Sequence, residues 1–386
     1  MKSSWWRRKK ELVPEQLSFI SLPPHGCYSL VGPPGSGKTN LLLLRAQFLA
    51  GNGEKNVLII TFTNALCDFI RSGIGKSGHI SADQVTTFHS WAGNYIIDQL
   101  GVSKKPKGSA FDEATRAEIL EKLKEANSKR PSQKMYSAIF VDEAQDLSAD
   151  ELEQLLCLSD KICICGDDNQ GIYFKDGLSI ATKFNLEQHE LTSHFRIGQR
   201  IAQVADKLLP PAEGTMGLAA RANYNEKEQG TSTADLHPTD SRDEQFAKML
   251  DLIRVQLVAF NEDNIGVFAG TNEAIAELKE RFDETELAGL VAYHGSEGGG
   301  SFLSEARIHV MTLHNSKGTE FRAVHIFAAE ELHEFPLRRT RLAYTGITRA
   351  RTALNVFRTG ATSRAIENAF AKPALMEMDA LFEEDA

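Results

Sequence analysis

Gly32-Pro33-Pro34-Gly35-Ser36-Gly37-Lys38-Thr39 meets the pattern G-x-x-x-x-G-K-[ST] at every fixed position, and an apolar stretch, Cys27 to Val31, runs straight into it. The glycines of such a loop let backbone N–H groups turn inward around β- and γ-phosphates, the lysine adds a point charge, and the last hydroxyl can hold Mg²⁺. The helix expected next, Lys38 to about Leu49, points the positive end of its dipole at the same place. Strand, loop and Leu-rich helix in succession mark the phosphate-binding corner of a parallel α/β sheet.

The rest of the chain is long enough for a second domain. Its 386 residues suit two domains of roughly 150 to 200 residues each, and 42% apolar with 25% charged residues is a globular composition. A net charge of −9 argues against a basic coat, although a local groove can be basic within an acidic whole. No apolar run approaches the ~20 residues of a membrane span, so no membrane partner is expected. Five cysteines without a C-x-x-C pair predict neither a metal centre nor a disulfide framework; Cys157, Cys163 and Cys165 sit among Leu and Ile, and a reducing cytoplasm is the expected compartment. Met1 to Lys10 carries basic residues and Trp5-Trp6 but no following apolar segment, which reads as a solvated arm rather than a secretory signal.

Short apolar runs alternate with helical patterns. Strands are expected at 27–31, 57–62, 137–141, 161–165, 265–269, 288–293, 307–312, 323–328 and 353–357, and helices at 38–49, 64–72, 88–100, 112–126, 150–157, 197–209, 242–260, 271–282 and 341–350. Ser241 and Glu244 form an S-x-x-E start for the helix at 242. Ser103 to Ser109, Pro210 to Pro238 and His294 to Ser301 read as polar or glycine-rich interruptions, and Glu377 to Ala386 as a frayed acidic end.

Ile139-Phe140-Val141-Asp142-Glu143-Ala144-Gln145-Asp146 is an apolar strand ending abruptly in acids. Ligands of open parallel sheets bind beyond the carboxyl ends of strands. Asp142 is thus placed to hold Mg²⁺ across from Thr39, and Glu143 to take a proton from an attacking water. The next strand runs into Gly166-Asp167-Asp168-Asn169-Gln170, where the neutral amide of Gln170 could sense a γ-phosphate without adding negative charge. The second half has no phosphate loop but carries Ser193-His194-Phe195-Arg196 and Tyr344 through Arg351. Arginines brought from a second domain can stabilise a transferring phosphoryl group.

In order and content this set resembles superfamily 1 helicases of the UvrD/Rep/PcrA type. Val13-Pro14-Glu15-Gln16 is similar to the family's Q motif, Thr61 to Ala65 to motif Ia, Thr87-Phe88-His89-Ser90 to motif Ib, and Asp142 to Asp146 to motif II. Gly166 to Tyr173 resembles motif III, Phe195-Arg196 motif IV, Thr312 to Phe321 motif V and Tyr344 to Arg351 motif VI. The resemblance implies a P-loop NTPase of two RecA-like parallel-sheet domains, an ATP-binding domain over 1–189 and a helicase domain over 190–386. It implies ATP and Mg²⁺ as cofactors, with Gln16 and Phe195 on adenine, Glu320 on the ribose, and Lys38, Thr39, Asp142, Glu143, Gln170, Arg196 and Arg349 around the triphosphate. Lys38, Glu143, Gln170, Arg196 and Arg349 are then the catalytic set, Arg349 as arginine finger. Asn40 and Gly318 join the loop residues in binding ATP, and Phe62, Thr63, Asn64, His89, Tyr173, Thr312 and His314 line a nucleic-acid track.

Departures from the family pattern are informative. Lys175 stands where members commonly have a Trp or Phe, with Phe174 one position early; Asn40 replaces an arginine, and Gly346 and Thr319 replace Ala and Leu. The stretch from Trp91 to Ala138 has room for one or two helices where larger relatives insert a subdomain, and a second insert shrinks to the glycine-rich 294–301. The implied activity is a translocase or helicase coupling ATP hydrolysis to 3′ to 5′ movement along single-stranded DNA, in preference to RNA. The alternative is a nucleotide-gated or DNA-sensing subunit that switches a partner such as a nuclease.

Overall fold

The computed structural model describes residues 6–74, 78–102, 112–130, 134–167, 176–295, 298–299, 305–332 and 338–371. Two sheets organise them. The first holds β1 (Tyr28–Val31), β2 (Val57–Thr61), β3 (Val85–Thr87), β4 (Ala138–Val141), β5 (Ile162–Gly166) and β6 (Glu187–Glu190) in the order β3-β2-β4-β5-β1-β6, every pairing parallel. The second holds β7 (Thr233–Thr239), β8 (Ile265–Ala269), β9 (Val291–Gly295), β10 (Gly298–Gly299), β11 (Ile308–Thr312), β12 (Phe321–Ile326) and β13 (Ala350–Thr359). Its order is β10-β9-β11-β8-β12-β13-β7, parallel except for the β9–β10 pair. These are the two RecA-like α/β lobes expected from the sequence.

The central strands β2, β4, β5, β8 and β11 are buried along their whole length, as strands covered by helices on both faces must be. Covering the first sheet are α2 (Lys38–Gly51), α3 (Asn64–Gly73), α4 (Phe88–Leu100), α5 (Glu113–Ser128) and α6 (Ala149–Leu156), preceded by α1 (Pro14–Ile20) and followed by the short α7 (Ile180–Lys183). The second sheet carries α8 (Gln199–Leu208), α9 (Glu226–Gln229), α10 (Arg242–Ala259), α11 (Asn272–Asp283), α12 (Arg338–Ile347) and α13 (Arg364–Phe370). The expected cap at 241 is present, the Ser241 hydroxyl accepting from Glu244 N at 3.1 Å while the Glu244 carboxylate accepts from Asp240 N. One apolar core lies beneath α4, α5 and α6, and another between the second sheet and α10 and α11. A third is shared, running from Leu30, Leu42 and Leu66 of the first lobe into Ile197, Leu313 and Tyr344 of the second.

The four strands missing from the sequence reading, β3, β6, β7 and β10, are the four sheet edges. An edge strand need not be apolar on both faces: β6 is Glu-Gln-His-Glu and largely exposed, and β7 contains Pro238, which an edge tolerates. The interruption expected over Pro210 to Pro238 accordingly contains α9 and most of β7. The unforeseen helices α1, α7, α9 and α13 have seven residues or fewer, too few to display a period. Cys163 and Cys165 are buried as expected, but Cys157 is exposed because it caps the end of α6 instead of packing beneath it. Among the described residues no helix is long and apolar enough to cross a membrane. The acidic end from 377 lies outside the described residues.

Two buried histidines, His194 and His325, and the half-buried His89 are held neutral. Burial pushes His89 and His194 down to about 4 and His325 to about 3. In the unfolded chain each titrates near 6.5. Above that value neither state takes up a proton; below it the unfolded chain protonates first, so stability declines from pH about 6.5 toward about 4, by roughly 1.4 kcal/mol per histidine per pH unit. The urea midpoint should fall over this window, and His194→Gln, which removes one titrating ring, should make the fall shallower.

Candidate active site

The strand β1, which lies between β5 and β6, delivers the chain to the loop before α2, and the loop's turn requires glycine: Gly35 has φ 78° and Gly37 φ 92°. Lys38, the first residue of α2, folds back so that Nζ donates to the carbonyls of Gly32 at 2.8 Å and Pro33 at 3.1 Å. Ser36 is buried and its Oγ has no partner. Gln16, 3% exposed on α1, donates from Nε2 to Ser36 O at 2.8 Å and accepts from Val13 N at 3.3 Å, so its amide is engaged by the loop and its own helix start.

The acids stand one strand away, at the end of β4. Thr39 lies beside Asp142, whose Oδ2 is buried without a partner. Burial pushes Asp142 up to about 7, the Glu143 charge adding to it, against the pull of Thr39 and Lys38. Glu143 moves the other way. Burial raises it, but Lys317, Arg349 and Lys38 outweigh burial and hold it below the ordinary carboxylate range. Its backbone is in the left-handed region, φ 55°, a conformation a non-glycine residue keeps only where its surroundings enforce it. Gln145 supplies part of that enforcement, donating to the Glu143 carboxylate and accepting from Asp167 N at 3.1 Å.

Groups from beyond β6 complete the cleft. Phe195 N donates to Gly35 O at 3.3 Å, laying the Phe195-Arg196 segment across the loop. Arg196 pairs with Glu320 at 2.5 Å and keeps its Nε buried without a partner. Arg349, 3% exposed behind α12, donates to Thr345 O at 2.9 Å, and burial together with neighbouring Arg196 lowers it to about 10. Around this cleft, about 860 Å³ of empty space partly open to solvent, the structure gathers Gln16, Pro34 to Asn40, Glu143, Phe195, Arg196, Gly318, Glu320 and Arg349. Gln170 lies outside the described residues, as do Tyr173, Phe174 and Lys175.

Three contributors were not singled out from sequence. Lys317, 1% exposed in the loop between β11 and β12, reaches across to Asp146 at 2.8 Å and Glu143 at 3.8 Å. Burial pushes Asp146 up to about 6 even against that ammonium. Arg116 on α5 grips the same segment from behind, donating to Asp146 O at 3.1 Å and to the buried Glu151 carboxylate at 2.8 Å. The lysine stood inside motif V; Arg116 had no sequence signal beyond an arginine on an otherwise ordinary amphipathic helix. The third is the amino-terminal arm, expected to be solvated. Trp6 and Arg7 are half-buried instead, the indole meeting Phe69 at 4.8 Å between ring centroids and Ser72 Oγ at 3.2 Å, while Arg8 to Glu11 are exposed as expected.

Apart from Tyr173, the residues expected on a nucleic-acid track follow the carboxyl ends of strands in both lobes. Phe62 and His89 meet edge to face at 5.8 Å, with Arg116 over the Phe62 ring at 5.5 Å. Thr63 is buried and its hydroxyl caps α3, accepting from Leu66 N; Asn64 beside it is exposed. In the other lobe Thr312 ends β11 and accepts from Asn315 N at 3.3 Å, and His314 is half-buried.

A magnesium-nucleotide group fits these residues on three counts: the unpartnered Asp142 Oδ2 and Ser36 Oγ, the unpartnered Arg196 Nε, and the excess of cations facing open space. Gly318 brings the second lobe close against the first, with φ 77° and a would-be Cβ 2.4 Å from Leu66. Gly318→Ala should therefore cost about 1–2 kcal/mol for the backbone and about 1–3 kcal/mol for the clash. Adding Leu66→Ala should relieve the clash but not the backbone cost, which urea unfolding of the single and double variants will resolve.

Known proteins align with both lobes. An AAA domain family model matches residues 17–176, and a UvrD-like helicase C-terminal domain model matches residues 307–357, from β11 into β13. Among solved structures, the C-terminal domain of a possible DNA helicase from Lactobacillus plantarum WCFS1 is similar over 45% of this chain and 93% of its own, at 17% identity and a TM-score of 0.34, a likeness too slight to argue from. No curated protein matches. With a family model seated on each lobe and the loop, acids and arginines gathered between them, the chain resembles the UvrD-like helicases.

Proposed function

We propose that the chain is an ATP-dependent translocase and helicase on single-stranded DNA, moving 3′ to 5′, with its lobes dividing near residue 190. The strongest support is that one cleft takes charge from both sides of that division: Lys38 and Glu143 from one, Arg196 and Arg349 from the other, with Asp142 and Lys317 next to Glu143 behind that lining. In this reading Thr39 and Asp142 hold Mg²⁺, the loop amides with Lys38, Arg196, Arg349 and Gln170 hold the phosphates, Phe195 meets adenine, and Glu320 reaches the ribose. Magnesium-ATP, when bound, supplies the phosphoanhydride to be cleaved and a divalent charge that makes it electrophilic. Glu143, kept ionised by three nearby cations, accepts the proton of the attacking water. Neutralising those cations weakens their hold on Glu143 and raises its basicity when the cleft is filled.

Lys317 links that event to movement, since its ammonium joins the second lobe to Asp146 and Glu143. Asn64, His89, Tyr173 and His314 are then the polar groups over which a strand passes, beside Phe62, Thr63 and Thr312. A second reading, a nucleotide-gated switch for a partner such as a nuclease, draws on the short connection between β3 and β4, where α4 and α5 are the helices among the described residues.

Single-stranded DNA should stimulate ATP hydrolysis, and Lys38→Ala should abolish it. Glu143→Gln should lower the rate by about 10²–10⁴ and Arg349→Ala by about 10³–10⁵, both retaining nucleotide binding. A rate indifferent to DNA, with Lys38→Ala equal to wild type, sinks the motor. ATPase without translocation or strand displacement on a 3′-tailed duplex favours the switch.

A further inference from the structure

We infer that Arg116 is a positioning residue that makes strand binding and nucleotide binding depend on each other, by fastening Phe62 and His89 to the segment that receives Lys317. This rests on the motor reading above and extends it to a residue outside every motif.

Arg116 reaches from α5 to the start of α6 and to the end of β2. Its Nε donates to the Glu151 carboxylate at 2.8 Å and its Nη2 to the other oxygen of that carboxylate, a two-pronged pair. The same Nη2 donates to Asp146 O at 3.1 Å. The guanidinium also lies over the Phe62 ring, 5.5 Å from its carbon to the centroid, and Phe62 meets His89 edge to face. Phe62, Arg116, Glu151, Asp146 and Lys317 are all buried.

The start of α6 does not need the arginine, because Glu151 already accepts from Ser148 N at 2.8 Å in a capping box. What Arg116 adds is the bond to Asp146 O and the contact with Phe62, and these lead in different directions. One leads to the carboxylate that takes Lys317 Nζ at 2.8 Å. The other leads to the rim, where both ring nitrogens of His89 are shut from water without a partner. Phe62, His89 and the acids follow the neighbouring strands β2, β3 and β4, and Arg116 spans them. A strand that engages those nitrogens bears on Phe62 and so on the guanidinium. The fork is planar and rigid, so it cannot yield at the ring without altering its bond to Asp146 O.

The test measures binding of labelled oligodeoxythymidylate to the full chain by fluorescence anisotropy, with and without Mg²⁺ and a non-hydrolysable ATP analogue. The ratio of the two affinities is the coupling factor, and the strand must change analogue affinity by the same factor. Wild type should show a factor of about 5–150 in either direction. Arg116→Met combined with Glu151→Gln leaves no charge buried alone and keeps a capping side chain. It should bring the factor to within about twofold of one while analogue affinity without DNA, which reports an intact site, stays at the wild-type value. Arg116→Lys, which keeps the ion pair but lacks the fork, should also lose coupling. Wild-type coupling in either variant overturns the inference, as does a loss of DNA-free analogue affinity that matches the loss of coupling, since that is a structural role. A wild-type chain that binds no strand, or whose strand affinity ignores the analogue, overturns the motor reading itself.

Discussion

An ammonium buried between two lobes governs this structure. Lys317 comes from the second sheet, is shut away from water, and has Asp146 at 2.8 Å and Glu143 at 3.8 Å, both from the first. A charge in that position is costly without partners, and breaking such a pair by removing one member typically costs 3–5 kcal/mol. The two acids answer it differently. Glu143 is held ionised by the cations around it, whereas burial keeps Asp146 inclined toward its proton. The separation of the lobes and the protonation of the acids are therefore one coupled variable.

The segment from Asp142 to Asp146 is where the demands on the chain meet. Its front faces the loop through Asp142 and Glu143, and its far end receives Lys317 from one side and Arg116 from the other. Arg116 also lies against Phe62, next to His89. Asp146 is thus joined by direct contacts through Arg116 to Phe62 and His89. The left-handed Glu143 backbone and its Gln145 partner keep the front of the segment stiff.

Much of this was legible in the sequence because the central strands are apolar throughout and the loop and acid motifs follow them directly. The lobes, the loop and the meeting of Glu143, Arg196 and Arg349 follow from strand ends and residue order. What was not legible is what depends on contacts between distant positions. Edge strands such as β6 carry no apolar alternation, Arg116 resembles any helix arginine until Glu151 and Asp146 surround it, and Trp6 gains meaning only from Phe69. Thr63 shows the opposite limit, a hydroxyl expected on a nucleic-acid track that is occupied in starting a helix.

The two acceptors of Lys38 Nζ are backbone carbonyls, Gly32 O and Pro33 O, which are dipoles rather than counter-ions. Its positive charge is therefore oriented but not cancelled. With Arg196 and Arg349 facing the same opening, the low-dielectric walls concentrate a positive potential at the mouth of a molecule whose net charge is −9. An approaching polyanion is repelled by the surface at large and drawn toward one entrance, so capture is a steered encounter that weakens as ionic strength shortens the reach of the field.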